Sequence, residues 1–411
     1  MKKDIQFLKN LLGKYRLFYV YLPNEIKFIK KYLNPSFNWK KWIFFRLNRK
    51  KILKKYLGPT FNWSECCRYN PYYLKYGFKF PMYEFEYYAA NSGVKSDLYF
   101  PEEFMVRYIY PYMNFKKIVA GYTNKCMIDR MLDINNAKKN VDVLTPENIA
   151  FCDNGRFFRG GSAYELCTCE EAIQTILAST GDLIVKPALS SHGNGIMLLS
   201  EADKNEMNIR NIFEKYRNNF VIQKKVIQHP ELAKLNPSSV NTMRIATYQD
   251  FTGKVKILYS TLRFGAKGSI CDNADPQETH NLSGGFCAIK PDGTLERKVH
   301  HLRTLETTVL SEEIVDIIPF YEKVQKAVLF LHTRFPHFSL IAWDVTVTPE
   351  VHPVIIEYNF RPGLATCQLV HGPMFGKEDM DIIMEQISKA RIIRKSHYAV
   401  SFPSKESYWI E

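Results

Sequence analysis

A hairpin pattern near the end of the chain brings acidic residues together. Residues 341–347 alternate, with apolar side chains on one face and Asp344 on the other, and the returning strand carries Glu357 and Asn359. Alternation places Glu357 and Asn359 on one face with Ile355, and folding of the hairpin puts Asp344 opposite or diagonal to Glu357. Two carboxylates and a neutral oxygen suit Mg²⁺ that also binds substrate phosphates. The alternative is a half-exposed hairpin whose polar residues face water.

A lysine followed by a loop with two glycines is the second pattern that could do chemistry. Lys186 stands near the end of an apolar strand, and the loop after it has small residues whose amides can approach an anion closely. It is neither a P-loop nor a dinucleotide-binding fingerprint, and an ordinary hairpin loop stays open as the alternative. Arg361, two residues beyond the acidic hairpin, is a further candidate for holding a phosphate. The loop residues of interest are Ser190, Ser191, His192, Gly193 and Gly195.

Strand-like and helix-like segments alternate from residue 116 onward and would position these residues. Because paired strands are mixed with helices, the pattern predicts an α+β protein rather than a uniform βαβ winding. Runs of β-branched and aromatic residues predict strands at 183–187, 220–223, 242–248, 254–263, 285–289, 340–347 and 354–359. Apolar periodicity predicts helices at 314–334 and 380–393, and a proline at the first turn with Asn236-Pro237 after it predicts a short helix at 230–235.

The positive charge of the protein is concentrated in its first 60 residues. The 411 residues carry a formal net charge of +14, and residues 1–60 hold 16 basic and two acidic residues, so the remainder is neutral. This distribution excludes a polyanion-binding surface over the whole protein and predicts a local basic face. Nine irregularly spaced cysteines without a C-x-x-C pair predict free thiols rather than a zinc site. We expect neither a signal peptide nor a transmembrane helix.

The basic region contains a short repeat. Residues 30–39, KKYLNPSFNW, recur at 54–63 as KKYLGPTFNW. Each copy predicts the end of a basic helix, with Asn34 or Gly58 in the left-handed capping conformation and the next proline blocking continuation. Ser36 or Thr60 can then cap the following segment. We expect residues 1–115 to be basic, aromatic-rich and mainly helical, with 64–115 packed on the next domain.

In their order along the chain, these elements resemble the ATP-grasp superfamily, and most closely its sugar-transfer-associated branch, which is found among polysaccharide and capsule biosynthesis functions. The resemblance covers about residues 116–375. It implies two α+β lobes that hold ATP between them, an N-terminal lobe at 116–225 with a glycine-loop lid and a C-terminal lobe at 226–411 with a Mg²⁺-binding hairpin. The stretches that carry the resemblance are 185–187 with 190–195, 229–245, 283–285, 343–345 and 356–363.

The resemblance also implies roles for individual residues. Two lysines would contact the ATP phosphates under the 190–195 loop, and the backbone of a hinge at 223–226 would meet adenine. Lys125 could instead be a solvated lysine at a helix start, and Arg263 a surface charge at a strand end. The implied nucleotide contacts are Lys125, Lys186, Gln223, Lys224 and Val226, with Glu231 near the ribose. The implied Mg²⁺ ligands are Asp344, Glu357 and Asn359, and Arg244, Arg263 and Arg361 would face phosphate or the acyl intermediate.

The activity implied is that of an ADP-forming carboxylate–amine ligase acting through an acylphosphate on small-molecule or saccharide substrates. Phosphoryl transfer needs placement and charge neutralisation more than a protein nucleophile, which agrees with the lack of a convincing triad. Two alternatives stay open: a kinase acting on a sugar or other hydroxyl, and a non-catalytic protein that binds nucleic acid or membrane. The neutrality of residues 61–411 argues against a nucleic-acid partner. We expect a cytoplasmic protein that contacts an anionic membrane through residues 1–60, since cations and aromatics are interleaved there.

Overall fold

The computed structural model describes residues 53–66, 68–161, 164–189, 193, 195–272, 284–301, 307–318 and 320–395. The chain divides into two compact units between Trp63 and Ser64. In the described part of the smaller unit, a helix ends at Leu57 and Gly58 takes a φ of +52°. The helix end predicted for the second copy of the repeat is therefore confirmed. The hydroxyl of Thr60 donates back to the carbonyl of Leu57 at 2.7 Å. The first copy of the repeat lies outside the described residues.

The larger unit contains two antiparallel sheets. Among the described residues the first sheet has the strand order β3-β2-β1-β6-β4-β5 and the second the order β11-β10-β9-β8-β7-β12-β13. Because antiparallel strands are combined with helices, the α+β class predicted from the sequence is confirmed. The strands are β1 Asn148–Asp153, β2 Arg156–Arg159, β3 Leu166–Cys167, β4 Leu183–Pro187, β5 Met197–Leu199, β6 Phe220–Lys224, β7 Thr242–Gln249, β8 Val255–Phe264, β9 Gly285–Ile289, β10 Lys298–His300, β11 Thr307–Val309, β12 Leu340–Val347 and β13 Pro353–Asn359.

Helices lie before, between and after these strands. The α-helices are Trp63–Cys66, Pro71–Leu74, Met82–Ser92, Glu102–Phe104, Tyr110–Met113, Lys116–Gly121, Ile128–Met131, Ile134–Ala137, Cys169–Ala178, Glu206–Tyr216, Pro230–Ala233, Tyr321–Thr333, Leu364–His371 and Lys377–Lys395. Short 3₁₀ turns cover Gly58–Thr60, Lys125–Met127 and Glu201–Asp203, and Met105–Ile109 is a π-helical turn.

The first sheet buries one face against the two helices Cys169–Ala178 and Glu206–Tyr216. The earlier of these begins with a capping box, in which Thr168 and Glu171 satisfy each other's backbone amides. Alternation along β4 sends Leu183 and Val185 into this core, so Ile184 and Lys186 lie on the opposite face. That opposite face is the one that borders the site described below.

The second sheet is covered on both faces. Met243 and Trp343 pack with the helix Tyr321–Thr333 on one face. On the other, Tyr248 and Leu340 pack with an aromatic layer from residues 72–113 and with the last two helices. The expected packing of residues 64–115 on the following domain is thus confirmed. The domain boundaries at residues 115 and 225 stay a prediction.

Asn114 ties the aromatic layer to the ends of β12 and β13. Its fully buried side chain donates from Nδ2 to the carbonyls of Leu340 and Phe360, each at 2.6 Å. Its Oδ1 accepts from the amide of Leu340 at 3.2 Å. Two strand ends, including the one that leads to Arg361, are therefore held in place from the first region.

One predicted helix is shorter than expected. The helix predicted at 314–334 begins at Tyr321. Ile317 instead forms a β-bridge with Thr294, and the amide of Leu295 donates to the carbonyl of Asp316 at 2.7 Å. The sequence explains the difference, because Pro319 disfavours helical backbone in the residue before it.

Candidate active site

A cavity of about 780 Å³ lies between the free face of the first sheet and one end of the second. Strands β4 and β6 border it on one side and strands β7, β8, β12 and β13 on the other. Seven cations and three carboxylates are among its described lining residues, so the site carries an excess of positive charge. The cations are Lys125, Lys186, Lys224, Lys225, Arg244, Arg263 and Arg361, and the carboxylates are Asp272, Asp344 and Glu357.

The acidic hairpin forms as predicted. Asp344 on β12 lies directly opposite Glu357 on β13 and, on its other side, opposite Arg244 on β7. Arg244 in turn pairs with Thr261 on β8. The alternative of a half-exposed hairpin is wrong, because every residue of β12 is buried and Asp344 is 4% exposed. The register therefore places Glu357, Asp344 and Arg244 side by side on the neighbouring strands β13, β12 and β7.

The return strand departs from simple alternation. Its register shifts between the pairs of Asp344 and Val345, so the chain bulges at Ile356. Ile355 therefore joins the hydrophobic core, whereas Ile356 and Glu357 both line the cavity. The prediction that Ile355 shares a face with Glu357 is wrong for this reason.

Arg244 and Asp344 form a two-pronged ion pair. Nε of Arg244 donates to Oδ1 of Asp344 at 2.7 Å, and Nη2 donates to Oδ2 at 2.5 Å. Burial acts to raise the pKa of Asp344, but the charges of Arg244 and Arg263 outweigh it and hold that pKa below its usual value. Asp344 is thus an ionised carboxylate whose charge is already balanced by Arg244.

Arg263 is held more loosely. Its Nη1 lies 3.5 Å from Oδ1 of Asp344, and its Nη2 lies 3.7 Å from Oδ1 of Asp272. The Nη1 atom is buried and has no hydrogen-bond partner among the described residues. A buried donor without a partner is unfavourable, so Arg263 is the guanidinium available for a ligand anion.

Glu357 and Asn359 are the two side chains of β13 with oxygen atoms suited to a metal ion that line the cavity. Nδ2 of Asn359 donates to Oε1 of Glu357 at 3.3 Å, which turns Oδ1 of Asn359 away, and Nζ of Lys125 lies 3.7 Å from Oε2. Burial and the neighbouring charge of Asp344 raise the pKa of Glu357. In the described part of the chain no group of three or more His, Cys, Asp and Glu side chains is arranged to hold a metal. These residues fit Mg²⁺ only together with oxygens from a phosphate ligand.

Lys186 faces the cavity from β4. It has no hydrogen-bond or ion-pair partner among the described residues, and burial lowers its pKa to about 8. Of the loop after it, Gly193 and Gly195 have φ values of +71° and +75°, and a Cβ atom on Gly195 would lie 2.8 Å from Cγ of Pro187. Gly193 lines the cavity. Ser190, Ser191 and His192 lie outside the described residues.

Lys125 connects the two sides of the cavity. Its amide donates to the carbonyl of Ala188, at the base of the glycine loop, at 3.0 Å. Its ammonium group reaches Glu357 on the second sheet. The segment starts at Asn124, whose side chain caps the turn by accepting from the amide of Cys126 at 3.0 Å.

The hinge at 223–226 also borders the cavity, as the family pattern implied. Gln223 is buried and donates from Nε2 to Oδ1 of Asn148 at 2.9 Å. The amides of Lys224 and Lys225 donate to the carbonyls of Glu147 and Asp182, so the segment is fixed to its neighbours.

Of two further residues for which the resemblance implies ligand contacts, one lines the cavity and the other does not. Glu231 does not line the cavity, because its carboxylate pairs with Lys234 one helical turn later, at 2.7 Å. A contact from Glu231 to a ribose is therefore not supported. Arg361 does line the cavity, and its exposed side chain has no partner in the described ranges.

The sequence interpretation missed the far end of the site. Asp272 lines the cavity, accepts a hydrogen bond from the hydroxyl of Thr242 and approaches Arg263. Thr242 pairs with Arg263 on β8, which pairs with Phe286 on β9. Thr242 could have been found, because it precedes Arg244 by two residues on a predicted strand and so shares its face. Asp272 follows no such pattern, since it lies in a loop.

The comparison that decides the family is a match over most of this fold. The model for sugar-transfer associated ATP-grasp proteins matches residues 137–380, which is more than half of the chain. The chain belongs to the sugar-transfer associated ATP-grasp family. The match takes in both sheets and most of the residues that line the cavity, although Lys125 lies outside it, and the ATP-grasp fold predicted from the sequence is confirmed. No curated protein matches the chain.

Solved structures of ATP-grasp enzymes are similar at low identity. The VanG D-Ala:D-Ser ligase of Enterococcus faecalis is 12% identical, with 65% of this chain and 61% of that one covered and a TM-score of 0.40. The biotin carboxylase of Campylobacter jejuni is 12% identical, with 70% and 49% covered and a TM-score of 0.37. The D-alanyl-alanine synthetase A of Vibrio cholerae is 15% identical, with 67% and 66% covered and a TM-score of 0.39. The chain spans less than two thirds of the length of each of these proteins.

The structure also bears on membrane insertion. In the part of the chain that the structure describes, no helix combines the length and the apolar character needed to cross a bilayer.

Proposed function

We propose that the protein is an ATP-dependent carboxylate–amine ligase that works through an acylphosphate. The observation that carries the proposal is the meeting of Lys186, Lys125 and Glu357 in one cavity between the two sheets. An unpartnered lysine beside a glycine loop suits a phosphate, and an adjacent carboxylate with Asn359 suits the metal ion that accompanies it. The excess of cations around the cavity favours a polyanionic ligand.

We assign different residues of this site to ATP and to Mg²⁺. Lys186 and Lys125 would hold phosphate oxygens, and the amides of the glycine loop would close over them. Glu357 and Asn359 would hold Mg²⁺, which would neutralise charge on the phosphates during transfer. Asp344 would contribute less charge, because Arg244 already balances it.

The part of the cavity beyond Glu357 is left for the acceptor. Adjacent strands lie about 4.8 Å apart, so the four steps from β13 to β9 span about 19 Å of sheet. Arg263, Asp272 and Thr242 lie on the β7 and β8 side of this span. We assign the carboxylate substrate to Arg263 and the incoming amine to Asp272, because each charge matches its ligand.

The reaction then runs in two balanced steps. A carboxylate oxygen attacks the γ-phosphorus, the bond from that phosphorus to the β-bridging oxygen breaks, and ADP leaves. The amine nitrogen next attacks the carbonyl carbon, and phosphate leaves as the amide forms. A primary amine that enters as an ammonium ion loses two protons and keeps one N–H in the amide, and Asp272 is the carboxylate to which we assign one of the two protons.

A place in cell-surface polysaccharide or capsule biosynthesis is part of the proposal. Its support is the description of the family, which links it to sugar transfer. We further propose a cytoplasmic protein that contacts the inner face of an anionic membrane through residues 1–60, which carry all of the net charge. Most of that segment lies outside the described residues.

A kinase that phosphorylates a hydroxyl is the second candidate, and one observation favours it. A hydroxyl acceptor needs a general base, and Asp272 supplies a carboxylate near the transfer point, where its charge also acts on Lys186. The ligase is preferred because Arg263 offers a buried, unpartnered donor suited to an acyl carboxylate.

Hydroxylamine separates the two candidates. The full-length protein is incubated with Mg²⁺, ATP and a panel of uronic acids and amino acids, with and without hydroxylamine, which converts an acylphosphate to a hydroxamate. The ligase predicts ADP and hydroxamate in equal amounts. ADP with a phosphorylated sugar and no hydroxamate would favour the kinase, and release of AMP would contradict both.

A further inference from the structure

The loop 265–272, which carries one carboxylate of the cavity, is fixed to the segment in front of β7 by buried polar side chains. The loop follows β8, and the segment covers residues 236–241. Nδ2 of Asn236 donates to the carbonyls of Gly265 and Ala266 at 3.1 and 2.8 Å. Asn236 is buried, so water does not compete for these two hydrogen bonds. A single side chain therefore holds the start of the loop.

The middle of the loop is held by the hydroxyl of Ser238. Its Oγ accepts from the amide of Gly268 at 3.1 Å. Its single proton is shared between the carbonyl of Ser269 at 3.0 Å and Oδ1 of Asn236 at 2.7 Å. Ser238 also lines the cavity. One hydroxyl thus connects the loop, the buried carboxamide and the cavity.

The end of the loop returns to its own start. Oγ of Ser269 donates to the carbonyl of Cys271 at 2.8 Å, and Cys271 forms a β-bridge with Val240. A Cβ atom on Gly265 would lie 2.1 Å from the carbonyl oxygen of Cys271, so only glycine fits where the chain doubles back. Asp272 follows directly, and the anchors of the loop therefore set its position.

Two further buried carboxamides keep the segment 236–241 rigid. Nε2 of Gln228 donates to the carbonyls of Asn236 and Ser239 at 3.2 and 2.7 Å, and its Oε1 accepts from the amide of Asn241 at 2.8 Å. Nδ2 of Asn241 donates to the carbonyl of Asn236 at 2.9 Å. Distortion of such a network would leave several buried groups without partners, so the segment is a firm base for the loop.

We propose that Asn236 and Ser238 are positioning residues for the second half of the ligase reaction and act through Asp272. The inference rests on the proposed function, in which Asp272 accepts a proton from the ammonium group of the amine. An N–H bond of the ammonium ion breaks, an O–H bond forms on the carboxylate, and the electron pair left on nitrogen attacks the carbonyl carbon of the acylphosphate. A carboxylate on a loop serves this step only while the loop is held, since a displacement of about 1 Å can cost about a hundredfold in rate.

Two nucleophiles of different charge separate the half-reactions. The full-length protein receives Mg²⁺, ATP and the uronic acid or amino acid that gives the most hydroxamate, with either hydroxylamine or ammonium chloride. Hydroxylamine is uncharged near neutral pH, whereas the ammonium ion must lose protons to form an amide. Ser238→Ala should lower the rate of amide formation about tenfold and leave hydroxamate formation unchanged. Asn236→Asp, which loses the donor to the carbonyls of residues 265 and 266, should act in the same direction.

Two control variants separate the positioning role from a general effect on the fold. Ser238→Thr retains the hydroxyl and should retain both rates. Thr252→Ala removes a hydroxyl that donates to Asp250 at 2.6 Å in the hairpin at the opposite end of β7 and β8, and it should also leave both rates unchanged. Circular dichroism checks that each variant is folded, and Ser238→Ala decides the question if Asn236→Asp does not fold.

A double-variant cycle shows whether Ser238 acts through Asp272. In an Asp272→Asn background, Ser238→Ala should cause no further loss of amide formation. The same loss in both backgrounds, or an equal loss of amide and hydroxamate formation in Ser238→Ala alone, overturns the inference and leaves the ligase proposal in place. A wild type that forms no hydroxamate with any of the carboxylates overturns the proposed function itself.

Discussion

Arg244 occupies both carboxylate oxygens of Asp344, through hydrogen bonds of 2.7 and 2.5 Å between adjacent strands. Both residues line the cavity, and the side chains of Arg244 and Asp344 are 21% and 6% exposed. This relationship assigns Arg244 a structural part in the site, whereas Arg263, which is held by longer ion pairs of 3.5 and 3.7 Å, and Arg361 are better placed to meet a ligand.

Removing one member of this pair should destabilise the protein strongly. Arg244→Gln leaves Asp344 ionised and buried beside Glu357, and we expect a loss of about 3 kcal/mol in the free energy of unfolding. Asp344→Asn should cost a similar amount, since Arg244 and Arg263 then face each other without their shared anion. Urea unfolding measures both losses. The double variant Arg244→Gln with Asp344→Asn should lose less than the sum of the two single losses, and strict additivity would contradict the coupling.

Glu357→Gln should abolish turnover while leaving much of the nucleotide binding. The carboxylate supplies charge to Mg²⁺ that matters most as the phosphoryl group is transferred. The checks are ADP release at saturating Mg²⁺ and nucleotide affinity by calorimetry. Asn359→Asp is the matched control, because it keeps an oxygen ligand and should retain part of the activity. Near-normal turnover of Glu357→Gln would refute the metal assignment.

Nucleotide binding should weaken as pH rises through 8. Burial lowers the pKa of Lys186 to about 8, and a bound phosphate would favour its protonated form and raise that pKa again. Below pH 7 the lysine is already charged, and above 8 binding must add the proton, so affinity should fall by up to about tenfold per pH unit. Calorimetry in buffers of different ionisation enthalpy should show uptake of about half a proton at pH 8. The Lys186→Ala variant should bind the nucleotide more weakly and should show neither the pH dependence nor the proton uptake. A variant with wild-type nucleotide affinity would show that Lys186 does not contact the phosphates.

Asp272→Asn should separate the two halves of the ligase reaction. Hydroxylamine is uncharged near neutral pH and needs no carboxylate to bind it, so hydroxamate formation should persist. Reaction with an amine substrate that enters as an ammonium ion should fall at least about a hundredfold, the usual range for loss of a positioned base. Thr242→Val is the control, since it removes the hydroxyl that Asp272 accepts from but keeps the carboxylate. Equal loss of both activities would place Asp272 in the first half-reaction instead.

Residues 1–60 should attach the protein to anionic membranes. Each Lys or Arg near such a surface contributes about 1 kcal/mol, so half of the 16 basic residues would suffice at low salt. Flotation with vesicles rich in phosphatidylserine should carry the full-length protein, and salt should release it. Vesicles of phosphatidylcholine alone should not bind, and deletion of residues 1–60 should abolish binding. No flotation at low salt would remove the membrane proposal.

The parts of the site that the sequence predicted are those carried by regular strands. Asp344, Glu357 and Arg244 could be placed because alternation along a strand fixes the face of each residue. The bulge at Ile356 could not, since it depends on how the strand pairs with its neighbour. Asp272 could not be predicted for a related reason: it lies in a loop, where no period links a residue to the surface it joins.

Hydrogen bonds between residues far apart in the sequence could not be predicted either. Gln223 and Asn148 are 75 residues apart, and neither belongs to a motif that names the other. Glu231, for which the family pattern implies a ribose contact, pairs with Lys234 three residues later and does not line the cavity. A short pattern identifies a residue, but its local partners decide whether the residue reaches the site.

Asn114 lies outside the matched range 137–380, yet it joins the first residue of β12, Leu340, to the residue that follows β13, Phe360. The boundary of the family match is therefore not a boundary of the folding unit. A polypeptide shortened to residues 137–380 would expose Tyr248 and Leu340 to water and leave the carbonyls of Leu340 and Phe360 without their donor. Substitutions in the aromatic layer should consequently alter the position of Arg361, which follows directly after Phe360.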